Sequence, residues 1–189
     1  FYDFEIRGST GKFNAYEHDF IRGGEPSLVR QVIDGIESPG QDDLYAQAAA
    51  GVKIIIDFPH IEELKEIEGL AIAKAQLILP LRTADGDRFP PPESLIVFGL
   101  DENGDSFFID DFLEGGAGGI YNENTGEYRF FITRFIQQIL IEERDLYGLE
   151  IVAERSTFTA NRVVIEGLPL PGEDVGEDDL RLDILFTNF

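Results

Sequence analysis

Three oxygen-bearing side chains at alternate positions, Asp101, Asn103 and Asp105, stand in the spacing with which a calcium loop presents its first ligands. The pattern then stops. The sixth position of such a loop, where the sharp turn needs glycine, is Ser106, and the twelfth, which needs a bidentate carboxylate, is Phe112. A hairpin turn with exposed acids accounts for the same residues, because Asn103-Gly104 is the pair that two-residue hairpin loops favour. We therefore read a turn, with a surface calcium ion bridging this loop to Asp110 or Asp111 as the alternative and no other cofactor.

His60 and Glu63, three apart on a short helix, could hold a metal with a third ligand, but acids in a first helical turn are accounted for by the helix dipole. His18, in "YEHDF", has no serine or cysteine partner in a recognisable motif, so a Ser-His-Asp arrangement has no support. "GGAGG" at Gly115 to Gly119 lacks the Lys-Ser/Thr of a phosphate loop and reads as a flexible loop, like "PGEDVGEDD" at Pro171 to Asp179. Glycoside hydrolysis needs two carboxylates roughly 5–9.5 Å apart across a cleft. Among 37 acids the sequence singles out no such pair. The aromatics Tyr2, Phe13, Tyr16, Phe20, Phe107, Phe108, Tyr121 and Tyr128 could build a sugar-binding platform, although alternating phenylalanine on a strand is first of all core and there is no tryptophan. No catalytic constellation emerges, and the expectation is a protein that is not an enzyme.

The elements that must position these residues are mostly strands. Between closely spaced Gly and Pro lie runs rich in Ile, Val, Phe and Tyr. They predict strands near Lys12 to Ile21, Leu28 to Ile36, Val52 to Phe58, Ile72 to Leu81, Ser94 to Leu100, Ser106 to Asp110, Gly119 to Asn122, Glu127 to Ile132, Gly148 to Ala153, Ala160 to Glu166 and Leu180 to Thr187. "NENTGE" predicts a hairpin in which Gly126 supplies positive φ. Two segments depart from this pattern. Pro59 to Ile67 predicts a short helix, with Ile61, Leu64 and Ile67 on one face and Gly69 beyond its end. "YRFFITRFIQQIL" begins with strand alternation at Tyr128, Phe130 and Ile132. Thr133 is then expected to cap a helix to Glu143 that buries Ile136, Ile139 and Leu140. Many short strands with tight turns and two short connecting helices predict a mainly β fold, a β-sandwich of jelly-roll type. Residues 41–189 would form the sandwich and 1–40 N-terminal strands or an extension packing on it, as one folded unit.

At 189 residues, with 43% hydrophobic content, the chain can bury a substantial core. Its formal charge of −22 works against binding a polyanion and removes nucleic acid from the expected partners. From Phe89 to Tyr128 there is no Lys or Arg, whereas nine acids occur, so this stretch should repel anions and attract cations. Cysteine is absent, which excludes disulfides and thiolate chemistry from this chain. Apolar runs such as "LAIAKAQLILPL" fall short of the ~20 residues that cross a bilayer. The chain lacks methionine, and we read Phe1 as a processed or internal start, with any signal peptide or lipid-anchor cysteine upstream.

Three stretches carry a resemblance. "VKIIIDFPHIEELKEIEGLAIAKAQLILPL" pairs a strand ending in Asp-Phe-Pro with a short helix and a new strand. "YRFFITRFIQQILIEERDLYGLEI" runs strand, Ile-Thr, helix and a Gly-Leu strand. "FTANRVVIEG" precedes a last strand "LRLDILFTNF". In this order, and in "FPPPESLIVFGLDENGD" and "GGIYNENTGEYRFFITRFIQ", the chain from about Tyr45 to Phe189 resembles the outer-membrane lipoproteins of Bacteroidetes catalogued as domain of unknown function 4270. "FNAYEHDF" is similar to the upstream part of that family. More distantly, the strand, Thr-headed helix and Gly-Leu strand resemble jelly-roll domains related to the TGF-beta propeptide, some of which are carbohydrate-binding modules. The resemblance implies an outer-membrane, cell-surface or periplasm-facing location, membrane attachment only through a lipid anchor outside this chain, and a role as a structural or binding component of an envelope assembly with a protein partner. Carbohydrate recognition is the alternative it implies.

Overall fold

The architecture follows from where the alternating segments find backbone partners. In a computed structural model, described for residues 16–23, 25–35, 43–82, 89–145, 147–154, 159–168, 174–176 and 178–188, the chain is mainly β. Its strands are β1 (Leu44–Gln47), β2 (Ile54–Ile56), β3 (Leu70–Pro80), β4 (Leu95–Leu100), β5 (Ser106–Phe107), β6 (Gly118–Asn122), β7 (Glu127–Phe131), β8 (Leu149–Ala153), β9 (Arg162–Ile165) and β10 (Arg181–Asn188). The short helices are α1 (Phe20–Gly23), α2 (Pro26–Val32), α3 (Asp110–Leu113) and α4 (Thr133–Leu140), with a 3-10 helix at Ile61–Glu66.

The strands form two four-stranded antiparallel sheets, ordered β10-β3-β7-β6 and β2-β8-β4-β5, and a two-stranded sheet β1-β9. Alternate residues of both larger sheets enter one core: Leu77 and Leu79 of β3, Tyr128 and Phe130 of β7, Leu95 and Val97 of β4, Leu149 and Ile151 of β8. This is a β-sandwich-like arrangement. Bridges between Leu81 and Ile165 and between Ser94 and Ile120 tie the sheets together at their margins. The Tyr128 hydroxyl, fully buried, donates to the Pro92 carbonyl at 2.7 Å. Burial, and then the neighbouring Tyr121 ring, push its phenol far above the ordinary value.

The N-terminal region departs from the sequence reading. Leu28 to Ile36 was expected as a strand, but its described part is largely helical: α2 begins at Pro26, which suits a first helical position. Leu28, Val29, Val32 and Ile33 also have helical rather than alternate spacing. Of the strand expected at Lys12 to Ile21, residues 12–15 lie outside the described residues. Tyr16 to Asp19 is irregular, and the Arg22 amide donates to Asp19 Oδ1 at 3.1 Å, which favours the turn of α1. Strand β1 was not expected. It leads into a turn in which Ala49 and Ala50 both take positive φ (59° and 57°), without the glycine or asparagine that usually marks such a turn. The helix expected from Pro59 is a 3-10 helix, and the reason is visible in Ile61, Leu64 and Ile67: a three-residue recurrence matches three residues per turn.

The largest revision concerns Thr133, which does not cap α4. Its Oγ1 accepts from the Ala75 amide of β3 at 3.0 Å. The α4 amides of Arg134 and Phe135 instead donate to the two carboxylate oxygens of Asp111 on α3, each at 2.8 Å. A charged acceptor from another element thus serves as the cap, a stronger arrangement than a neutral hydroxyl. Asp110 supports it by accepting from Gln138 Nε2 at 2.8 Å, and Arg134 pairs with Asp110 and Glu114. Helix α4 buries Phe135, Ile136 and Ile139, with Leu140 partly covered against the core.

Replacing Asp111 by Ala is expected to lower stability by about 1–2 kcal/mol, the usual cost of a lost N-cap. Thr133→Val, which leaves the Ala75 amide without its acceptor, is expected to cost about 1–3 kcal/mol. Urea unfolding of both variants checks this division of labour. A Thr133 acting as cap would leave Asp111→Ala near wild type.

Candidate functional site

The Asp101 to Asp105 stretch is a tight hairpin between β4 and β5. Asp101 Oδ1 accepts from the amides of Asn103 at 2.8 Å and Asp105 at 2.9 Å, while the Asp101 carbonyl accepts from Gly104 at 3.0 Å. The Asp101 amide closes the loop on the Asp105 carbonyl at 3.0 Å. Gly104 has φ +78°, whereas Asn103 is not among the residues of positive φ, so this is a three-residue loop ending in a left-handed glycine, not the expected two-residue Asn-Gly turn. Asp101 thus spends one oxygen on its own turn. Asp110 and Asp111, the proposed bridging ligands, are engaged with α4. Among the described residues no group of three or more His, Cys, Asp or Glu is placed to hold a metal ion.

The histidines also serve locally. His60 Nδ1 and Glu63 Oε1 are 2.8 Å apart, both strongly exposed. His18 Nε2 donates to the Ala49 carbonyl at 2.8 Å, and its ring stacks on Phe20, linking the segment before α1 to the left-handed alanine turn. The aromatics do not gather into one platform. Tyr2 and Phe13 lie outside the described residues, Tyr128 is core, and Tyr121 packs against Tyr128 with ring centroids 5.1 Å apart. Arg144 covers Phe107, and Phe108 stacks on Phe112 and lies tilted against Phe98 of β4, away from the β6–β7 hairpin. "GGAGG" joins α3 to β6, its last two glycines already belonging to the strand.

Two features were not singled out in the sequence. Glu150 and Glu127 are acids buried on strands, paired respectively with Lys53 and with Arg129 at 2.5 Å. The second is the edge of β10. This strand has eight residues and forms one margin of its sheet, paired among the described residues only with β3. Leu182 and Ile184 pack on the core, whereas Leu185 (62%) and Phe186 (47%) are exposed where the register with β3 shifts. An eight-residue edge without Pro or Lys, whose charges at Arg181 and Asp183 pair with each other at its start and whose Leu185 and Phe186 are exposed further along, can template another strand. The sequence signal was present in "LRLDILFTN", but only topology shows that the strand is marginal.

No family model, curated protein or solved structure matches the chain. Among the described residues, no helix is long and apolar enough to cross a membrane.

Because Asp101 is committed to its own turn, the melting temperature is expected to be the same in millimolar calcium and in chelator. Asp101→Ala should cost about 1 kcal/mol through the lost turn hydrogen bonds. A calcium-dependent rise in melting temperature that Asp101→Ala abolishes would instead support a calcium ion at this loop.

Proposed function

We propose that this chain is a non-enzymatic binding or structural component of a cell-envelope protein assembly, carried to the outer membrane by a lipid anchor that is not part of this chain. The location rests on the resemblance to the outer-membrane lipoproteins of Bacteroidetes, and the finer assignment of the sandwich to the jelly-roll type rests on its short strands with connecting helices and on the more distant resemblance to domains related to the TGF-beta propeptide. The observation that carries the binding role is the edge of β10, paired among the described residues only with β3, with Leu185 and Phe186 exposed beside it. Strand addition at such an edge supplies main-chain hydrogen bonds for affinity and alternate side-chain contacts for selectivity.

Carbohydrate recognition is the second reading. The aromatics first considered for it are dispersed, so it has to rest on other residues. What favours it is an open depression on the outer face of the β6–β7 hairpin.

The test is gentle detergent extraction of the full-length protein from its native membrane, with chemical cross-linking and mass spectrometry. A stoichiometric envelope protein cross-linked near residues 181–188 is expected, and Leu185→Lys should release it while leaving the chain folded. Recovery of the protein alone, or a partner indifferent to Leu185→Lys, would defeat the proposal.

A further inference from the structure

The outer face of the sheet β10-β3-β7-β6 carries a depression of about 460 Å³ lined by Gly118, Gly119, Ile120, Asn122, Thr125, Glu127, Arg129 and Phe131. Its origin is a break in strand pairing: β6 and β7 are in register at Gly118–Phe130 and again at Tyr121–Tyr128, with a shift between them. Gly118 and Gly119, at φ +83° and +87°, pass through this irregularity. A Cβ on Gly118 would collide with the Arg129 carbonyl, and one on Gly119 would turn inward onto the Leu95 carbonyl and the buried Phe130 ring, so both positions of the irregularity require glycine. Irregularities of this kind commonly adjoin binding sites.

The lining combines two kinds of surface. Ile120 is 73% exposed and Phe131 43% exposed, giving apolar walls in contact with solvent. At the turn end of the hairpin Glu127 is only 7% exposed, and one of its carboxylate oxygens accepts from Arg129, the next residue on the same face of β7, at 2.5 Å. Asn122 stands opposite Glu127 in the hairpin register, and Thr125 lies in the connecting turn.

Charge selects the ligand class. The Glu127–Arg129 pair is neutral as a unit, so an anion meets a guanidinium already compensated, on a protein of formal charge −22. A metal ion finds one carboxylate, itself held by an arginine, and no further acid or histidine in the lining. The remaining match is an uncharged molecule with hydroxyls on one side and C–H groups on the other. Hydroxyls would meet Glu127, Arg129, Asn122 and Thr125, and the apolar face would lie on Phe131 and Ile120.

We infer that this face of the β6–β7 hairpin is a binding site for a neutral carbohydrate. The inference deepens the second reading of function and is independent of the β10 edge. Its test is titration of the intact chain, by NMR chemical-shift mapping, with neutral oligosaccharides of glucose, mannose, galactose, xylose and N-acetylglucosamine. Shifts centred on residues 118–131 are expected for at least one of them. Phe131→Ala should weaken that affinity about tenfold or more, in line with the loss of ~1.4 kcal/mol of contact. Ile120→Ser, at a position too exposed to threaten the fold, should weaken it to a smaller degree, and Phe131→Tyr should retain it. Phe108→Ala, just beyond β5 of the other large sheet, is the control. Binding that survives both Phe131→Ala and Ile120→Ser overturns this site while leaving carbohydrate recognition standing elsewhere on the protein. No shifts with any of the sugars overturns both.

Discussion

Strand β3 must have its backbone groups satisfied along its whole length, and much of the structure can be understood as the means of doing so. On one side β10 pairs with Leu70 to Ile78, and the segment around β9 takes over at Leu81 and Arg82, whose amide donates to the Val164 carbonyl at 2.9 Å. On the other side β7 pairs from Pro80 back to Gln76 and then ends. A longer β7 would keep pairing, but the chain turns into α4. The helix continues the ladder with side chains: Thr133 accepts from the Ala75 amide, and Gln137 Oε1 accepts from the Ile72 amide at 2.8 Å. The Ile132 amide donates to the Ala75 carbonyl at 3.0 Å. Leaving such donors unpaired would cost about 1–3 kcal/mol each, comparable with much of a small domain's net stability. The geometry of α4 is therefore set by β3, which explains why its N-terminal amides look elsewhere, to Asp111, for a cap.

This also marks the boundary of what was legible in the sequence. Local periodicity located the strands from β2 to β10, because alternation over a half-buried sheet is a property of neighbouring residues, although the strand expected at Ser106 to Asp110 keeps only Ser106–Phe107 and Asp110 opens the unexpected helix α3. It also located the strand-to-helix junction at Ile132-Thr133. It did not assign the cap, since a threonine at a helix start has two possible employers and only the third dimension brings Ala75 and Asp111 within reach. Strand β1 was missed for a related reason. "LYAQ" is short and weakly patterned, and its turn uses two alanines in a conformation that a sequence reading reserves for Gly, Asn or Asp. The acids of a calcium-like motif were equally visible. Their commitment to a turn and to a helix cap depends on hydrogen bonds that spacing cannot supply.

The acidity of the chain is also more structured than its formal charge suggests. Asp111 caps a helix, Asp101 closes a turn, and Glu127 and Glu150 sit buried on the two sheets beside basic partners. Breaking such a pair leaves a buried carboxylate uncompensated, which is costlier than losing an exposed ion pair. These acids form part of the folded frame, and the remaining surface acids supply the field that discourages anionic partners.

The proposed interaction sites use opposite margins of one sheet. In the order β10-β3-β7-β6, β10 presents its edge to a strand, whereas the β6–β7 hairpin presents an outer face to a small ligand. With neighbouring strands about 4.8 Å apart, the centres of β10 and β6 are separated by roughly 14 Å. Strand addition extends the sheet away from β6, so a partner seated on β10 does not need to enter the depression. Coupling between the two would have to pass through β3 and β7, whose paired backbones and buried Leu77, Leu79, Tyr128 and Phe130 make them the most constrained part of the sheet. A rigid connection of this kind favours independent occupation of the two sites over an allosteric exchange, which requires an element with two arrangements of similar energy.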